Sequence, residues 1–223
     1  MLRELAPAEV DDMGLRSYLD GNWCSRKAAW GKVRVVLALA NCQPDDVVLD
    51  FGCGTGILLA LLRGIPKKMY ACDINTQAAQ RMVKELAIPN IHFLSPDELA
   101  QLPRREVTTI VAANVLEHVP DVTRLAHEFF SLLACDGTLV VSGPTENLLY
   151  RLGRWIVGFS GDYHVRTIDD IFATLISSGR FQRRVQRHFP LPGPACLYRI
   201  GVFNPTGDST PLPSAQRGIV FDQ

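Results

Sequence analysis

Apolar runs of strand length alternate along the chain with longer stretches in which apolar residues recur at helical period. The runs at 47–51, 69–73, 91–94, 107–113 and 138–142 read as strands, and the stretches near 56–63, 75–87 and 121–134 as the helices between them. A further helix over about 25–41, opening at Ser25, precedes the first strand. Such alternation predicts a parallel sheet covered by helices on both faces, a three-layer α/β/α sandwich. Asn75 and Asp121, the latter after Pro120, stand where an N-cap is wanted, because a short polar side chain there accepts from the first unpaired N–H groups.

After Ser142 the pattern changes to a helix near 145–159, a second near 168–178, and segments at 181–189 and 196–203 separated by Pro190, Pro192 and Pro194. These segments, the first rich in arginine, read as a late pair of strands, making seven in all. The stretch 204–223 carries Pro205, Pro211 and Pro213 and few apolar residues before Ile219, so a loose tail is expected there. A single domain over 1–203 accounts for the rest, with 1–41 and 143–180 as its cover on the ligand side.

At 223 residues the chain has room for one such domain. Its 47% hydrophobic and 21% charged composition is that of a globular protein and excludes disorder of the whole chain. Lys+Arg and Asp+Glu both number 23, so the electrostatic footprint of a nucleic-acid binder is missing and no nucleic-acid partner is expected. Cys24, Cys42, Cys53, Cys72, Cys135 and Cys196 show neither zinc-ligand spacing nor a disulfide scaffold and read as reduced thiols; no metal is expected. The longest apolar run, Ile57 to Leu62, is far too short to span a bilayer, and the first residues lack an export signal, which makes a soluble, cytoplasmic protein the expectation.

The chemistry concentrates where the first strand ends. Val47-Val48-Leu49-Asp50 runs into Phe51-Gly52-Cys53-Gly54-Thr55-Gly56, three glycines at alternate positions before a helix. Such a loop turns tightly and lets a ligand approach the backbone, and the following helix start favours an anionic group. A dinucleotide fingerprint needs its third glycine where this chain has Ile57, which argues against a nicotinamide oxidoreductase. The second strand ends in Asp73, 21 residues beyond Gly52, where a carboxylate can accept from both hydroxyls of a ribose.

Leu49-Asp50-Phe51-Gly52-Cys53-Gly54-Thr55-Gly56, Ala71-Cys72-Asp73-Ile74-Asn75 and Asn114-Val115-Leu116-Glu117-His118-Val119-Pro120-Asp121, in this order, resemble the class I S-adenosylmethionine-dependent methyltransferases, particularly the type 11 group. The resemblance covers about residues 40–143. It implies a Rossmann-like, mainly parallel seven-stranded sheet whose last strand is antiparallel. It also implies S-adenosylmethionine as methyl donor, with S-adenosylhomocysteine as product. Asp50, Gly52, Cys53, Gly54 and Gly56 would line the methionine moiety, Asp73 would bind the ribose, Ile74 would flank the adenine, and Asn114 would face the methionine end. Asp97 is the candidate for the acid that meets the adenine amino group. The fourth strand departs from the group's pattern, with Val107-Thr108 where relatives often carry Phe-Asp.

Methyl transfer to a hydroxyl needs a group that removes the proton, and histidine titrates in the right range. His118 follows the fourth strand at the ligand-bearing edge; it either serves the site or braces the start of the next helix. His164 lies in a polar connection, Gly161-Asp162-Tyr163-His164, that either reaches the site or stays a surface loop. In the helix near 145–159, Leu148, Leu149, Leu152, Trp155, Ile156 and Phe159 share a face within about 120° while Arg151 and Arg154 point away. That face either packs on the sheet, covers an apolar acceptor, or rests on a membrane surface. Arg180, Arg183, Arg184, Arg187 and His188 form either an anion site or a solvated face, and Trp23, Trp30 and Tyr18 either roof the cofactor or pack on the first helix. The function expected is methyl transfer, at oxygen, to a small-molecule, glycan or lipid-like acceptor. The alternative is a non-catalytic module that binds S-adenosylmethionine or S-adenosylhomocysteine.

Overall fold

The computed structural model describes residue 18, residues 23–145, residue 147 and residues 166–207. Its elements are helix α1 (Trp23–Ala40), strand β1 (Val47–Phe51), helix α2 (Ile57–Leu61), β2 (Lys68–Cys72), α3 (Gln77–Glu85), β3 (Ile91–Leu94), β4 (Val107–Ala113), α4 (Val122–Leu132), β5 (Leu133–Pro144), α5 (Ile168–Ser177), β6 (Phe181–Pro190) and β7 (Cys196–Pro205). Short 3₁₀ turns follow β3 (Pro96–Gln101), β4 (Leu116–His118) and β6 (Gly193–Ala195). The helix expected near 145–159 and the tail beyond 207 fall outside the described residues.

Seven strands form one sheet in the order β3-β2-β1-β4-β5-β7-β6. β1 pairs in parallel with β2 and β4, β2 with β3, and β4 with β5, whereas β7 runs antiparallel to both β5 and β6. Every residue of β1 is buried, as a central strand covered on both faces requires. The two-residue alternation then splits the core. Leu49, Phe51 and Ile110 pack with Phe129 of α4 and Phe172 of α5 on one face, while Val48, Val111 and Val140 pack with Val36 of α1 and Leu59 of α2 on the other.

Several boundaries differ from the pattern-based expectation. α1 opens at Trp23 rather than Ser25. The residue flanking α3 is Thr76 rather than Asn75; the Asn75 side chain instead accepts from Gln77 N–H at 3.1 Å. β5 opens at Leu133, directly after α4, because Arg105 Nη1 and the pairing of Leu133 with Val107 capture backbone that reads in sequence as helix. β7 extends two residues past 203, to Pro205. Asp121 caps α4 as expected, its Oδ1 accepting from Arg124 N–H at 2.9 Å. Where relatives often carry aspartate in β4, the Thr108 hydroxyl donates to Asp46 Oδ1 at 2.8 Å and accepts from Val47 N–H at 3.1 Å, tying the first residues of β4 and β1 together.

Candidate active site

The chain leaves β1 toward β2 and β3, then crosses back to place β4 on the other side of β1. That reversal opens a crevice at the carboxyl edge of an α/β sheet. The glycine loop, Asp73 and Asn114 all converge there, after β1, β2 and β4.

Gly52 and Cys53 donate their N–H groups to the Cys72 carbonyl at 2.8 and 3.1 Å, and Gly54 donates to Asp73 Oδ2 at 2.8 Å. The loop is thereby locked to the end of β2. Gly52 has φ 79°, and a Cβ there would stand 2.5 Å from Val115 Cβ, so a side chain is excluded by conformation and by space. At Gly56, φ 81°, a Cβ would stand 3.2 Å from Ala79 Cα, so the glycine also lets α2 and α3 approach.

Asp73 Oδ1 accepts from Asn75 N–H at 3.2 Å. A carboxylate has about four lone-pair positions, so with one internal bond to each oxygen the partly buried Asp73 retains capacity for two hydroxyls. Ile74, beside it, is 91% exposed, the most open large apolar side chain among the described residues, and offers a flat purine an apolar contact. Asp97 is exposed in the 3₁₀ turn after β3, where Glu98 rather than Asp97 accepts from Ser95 N–H and Oγ at 2.7 and 2.8 Å. Asn114 takes φ 56°, a conformation asparagine tolerates, and donates its N–H to the Ser142 carbonyl at 2.9 Å.

Asp50 is 3% exposed, and its Oδ2 has no hydrogen-bond partner. Burial and then the charge of Asp73 push its carboxyl up to about 7. A buried carboxylate oxygen lacking a donor, beside a glycine cradle, suits a ligand that brings an ammonium group, as S-adenosylmethionine does. Burial drives the Cys53 thiol well above its usual range and the Cys72 thiol up to about 12, which makes both inert packing groups.

His118 ends the turn after β4 and is exposed; its neighbour Glu117, at 2% exposure, is the buried member. His164 lies outside the described residues. Trp30 donates Nε1–H to the Tyr18 carbonyl at 3.3 Å and meets the Tyr18 ring edge-on at 5.3 Å, while Trp23 is 64% exposed. Arg183, Arg184 and Arg187 are exposed on the edge strand β6, and the Arg180 guanidinium lies 5.2 Å from the Phe130 ring. Among the described residues no cluster of three or more metal-ligating side chains occurs, and no helix is long and apolar enough to cross a membrane.

Sequence reasoning missed Lys32. It is buried in α1, its Nζ 4.5 Å from the centroid of the Tyr198 ring, and burial lowers its pKa to about 8 against the opposing pull of Glu117. The available signal was a lysine in the apolar series Lys32, Val36, Ala40, which shares one helix face.

A sheet of this order, with a glycine loop after β1 and a carboxylate after β2, defines the class I methyltransferase fold. The chain belongs to the family described as the methyltransferase domain, which matches residues 23–190, and by fold and motifs it is an S-adenosylmethionine-dependent member. It is similar to ribosomal protein L11 methyltransferase of Acinetobacter baumannii, with 37% identity over 46% of this chain and 35% of that protein. It is also similar to an uncharacterized methyltransferase of Mycobacterium bovis, with 32% identity over 49% and 58%. The chain thus spans about a third to three-fifths of these relatives. Among solved structures, it shares its fold with the N-methyltransferase NodS of Bradyrhizobium japonicum bound to S-adenosylhomocysteine (TM-score 0.67, 17% identity, 90% of this chain and 96% of that one). The same holds for magnesium protoporphyrin IX methyltransferase of Synechocystis, also with S-adenosylhomocysteine (TM-score 0.60, 23% identity, 85% and 91%).

Proposed function

We propose that the protein transfers a methyl group from S-adenosylmethionine to the oxygen of a small-molecule, glycan or lipid-like acceptor. The observation that carries this reading is the convergence of the locked glycine loop, Asp73, Ile74 and Asn114 on one crevice. In it, Asp50 and the loop from Gly52 through Cys53 and Gly54 to Gly56 hold the methionine end, Asp73 the ribose, Ile74 and Asp97 the adenine, and Asn114 the side from which the acceptor comes. The donor supplies an already activated methyl group, so the chain's own task is to orient the acceptor oxygen in line and to receive its proton. The β4–β5–β7 side of the crevice is where an acceptor fits, because the β2–β3 side is taken by the nucleoside. His118 lies on that edge and is a candidate for the acceptor's surroundings.

The test is incubation with deuterated-methyl S-adenosylmethionine and a whole-cell extract, followed by mass spectrometry of its metabolite, lipid and protein fractions. A deuterated methyl ether or ester in the metabolite or lipid fraction is expected. Label confined to polypeptide would overturn the acceptor class, and cofactor binding without any transfer would favour a non-catalytic module.

A further inference from the structure

The buried Lys32 and Glu117 and the half-buried Tyr198 group together on the β4–β5–β7 side of the crevice. Tyr198 stands opposite Pro144 at the end of β5, and Asn114 is hydrogen-bonded to Ser142 of the same strand, so Lys32 lies at the edge where the acceptor must arrive. Lys32 is 6% exposed and Glu117 2%. The groups facing the amine are Glu117, from the turn after β4, and Tyr198, from β7; Tyr18, whose phenol burial pushes up to about 12, is in turn influenced by Tyr198 and stacks edge-on with Trp30. A buried ammonium is costly and a buried neutral amine much less so. The site therefore favours a group that can take up a proton and then be held by Glu117. A carboxylate or phosphate on the acceptor would meet the charge of Glu117, whereas a neutral, weakly acidic O–H would not. The Tyr198 ring, 4.5 Å from the amine, suits an acceptor whose hydroxyl is carried on an aromatic ring.

We propose that Lys32, flanked by Glu117 and Tyr198, binds the acceptor's hydroxyl and removes its proton, and that the acceptor is phenol-like, its ring lying against Tyr198. The proposal rests on the methyl-transfer reading above. In the step, the acceptor O–H bond breaks and the proton joins the Lys32 amine, giving an ammonium that Glu117 stabilises. The electron pair left on oxygen forms the O–CH₃ bond, and the pair of the S–CH₃ bond stays on sulfur.

The probe is 4-nitrophenol, whose phenolate absorbs visible light, titrated at one pH into the protein saturated with S-adenosylhomocysteine. Saturable binding as the phenolate is expected for the wild type, a smaller phenolate fraction for Glu117→Gln, and the smallest for Lys32→Met, with affinity about 10-fold or more weaker. Calorimetry with S-adenosylhomocysteine in each variant reports folding and tests the cofactor reading separately; Lys32→Gln replaces Lys32→Met should the latter fail to bind it. Equal phenolate binding by the wild type and both Lys32 variants would overturn the proposal. So would a wild-type complex that binds S-adenosylhomocysteine but not 4-nitrophenol, or a phenolate signal lost in His118→Ala and kept in Lys32→Met.

Discussion

At Asp50, a carboxyl group buried to 3% exposure and raised to about 7 by burial carries a consequence for stability. The unfolded chain loses this proton near pH ~4, whereas the folded chain holds it until about 7. The contribution is therefore full below the unfolded value and lost as pH rises through 7. Asp50→Asn should flatten that decline and make the ligand-free protein about 2–4 kcal/mol more stable at pH 7.5. Urea unfolding at several pH values between 4 and 7.5 checks it, and identical pH slopes in the two proteins would count against the burial argument. Lys32, lowered to about 8, acts over a separate window: its folded form loses stability as pH falls through that value, and the ammonium penalty is then constant across the range used for Asp50. Gly52→Ala, with its Cβ 2.5 Å from Val115 and φ 79°, should destabilise the fold by about 1–3 kcal/mol. A midpoint of denaturation equal to the wild type would show that the loop can move away from Val115. The places of Asp50, the glycines and Asp73 at one sheet edge were legible because such residue types at strand ends stand out from an apolar run. Lys32 was not: lysine is read as a solvated residue, and only the packing of α1 over β7 reveals that this one is buried.

Among the elements, β1 and β4 were readable because a parallel strand covered on both faces is a continuous apolar run, and their bounds agree with the pattern to the residue. β5 was readable only in its central part. Leu133-Ala134-Cys135-Asp136-Gly137 has no strand alternation of its own, and its extended form depends on Leu133 pairing with Val107 and on Asn204 Nδ2 donating to the Gly137 carbonyl at 2.9 Å. Both contacts are tertiary and distant in sequence. The start of α4 was a local matter, and Asp121 accepts there from Arg124 N–H. Asp121→Ala should cost about 0.5–2 kcal/mol, read from chemical denaturation, because an uncapped donor remains at the head of the helix that follows the turn after β4. No change would mean that Pro120 and the turn before it hold the helix start unaided.

For the whole molecule, strand order decides where the chemistry sits. The alternation of strands and helices implied a parallel sheet and family resemblance the antiparallel last strand, but the order β3-β2-β1-β4-β5-β7-β6 was not legible, since nothing in a strand's own residues says which neighbour it will pair with. That order brings the loop after β1 and Asp73 after β2 together, 2.8 Å from Gly54 N to Asp73 Oδ2, and leaves the β4–β5–β7 edge as the side proposed for the acceptor. A ligand that fills this crevice binds only the folded chain. S-adenosylhomocysteine at about 100 times its dissociation constant should therefore stabilise the protein by about 2.7 kcal/mol, or about 5–11 °C in Tm. The most direct test of the account is calorimetric titration of S-adenosylhomocysteine into the wild type and Asp73→Ala. Two hydroxyl hydrogen bonds to one carboxylate predict a loss of about 2–4 kcal/mol, roughly 30-fold to 1000-fold in affinity. Undiminished affinity in a folded Asp73→Ala protein would contradict the assignment of this crevice to the nucleoside.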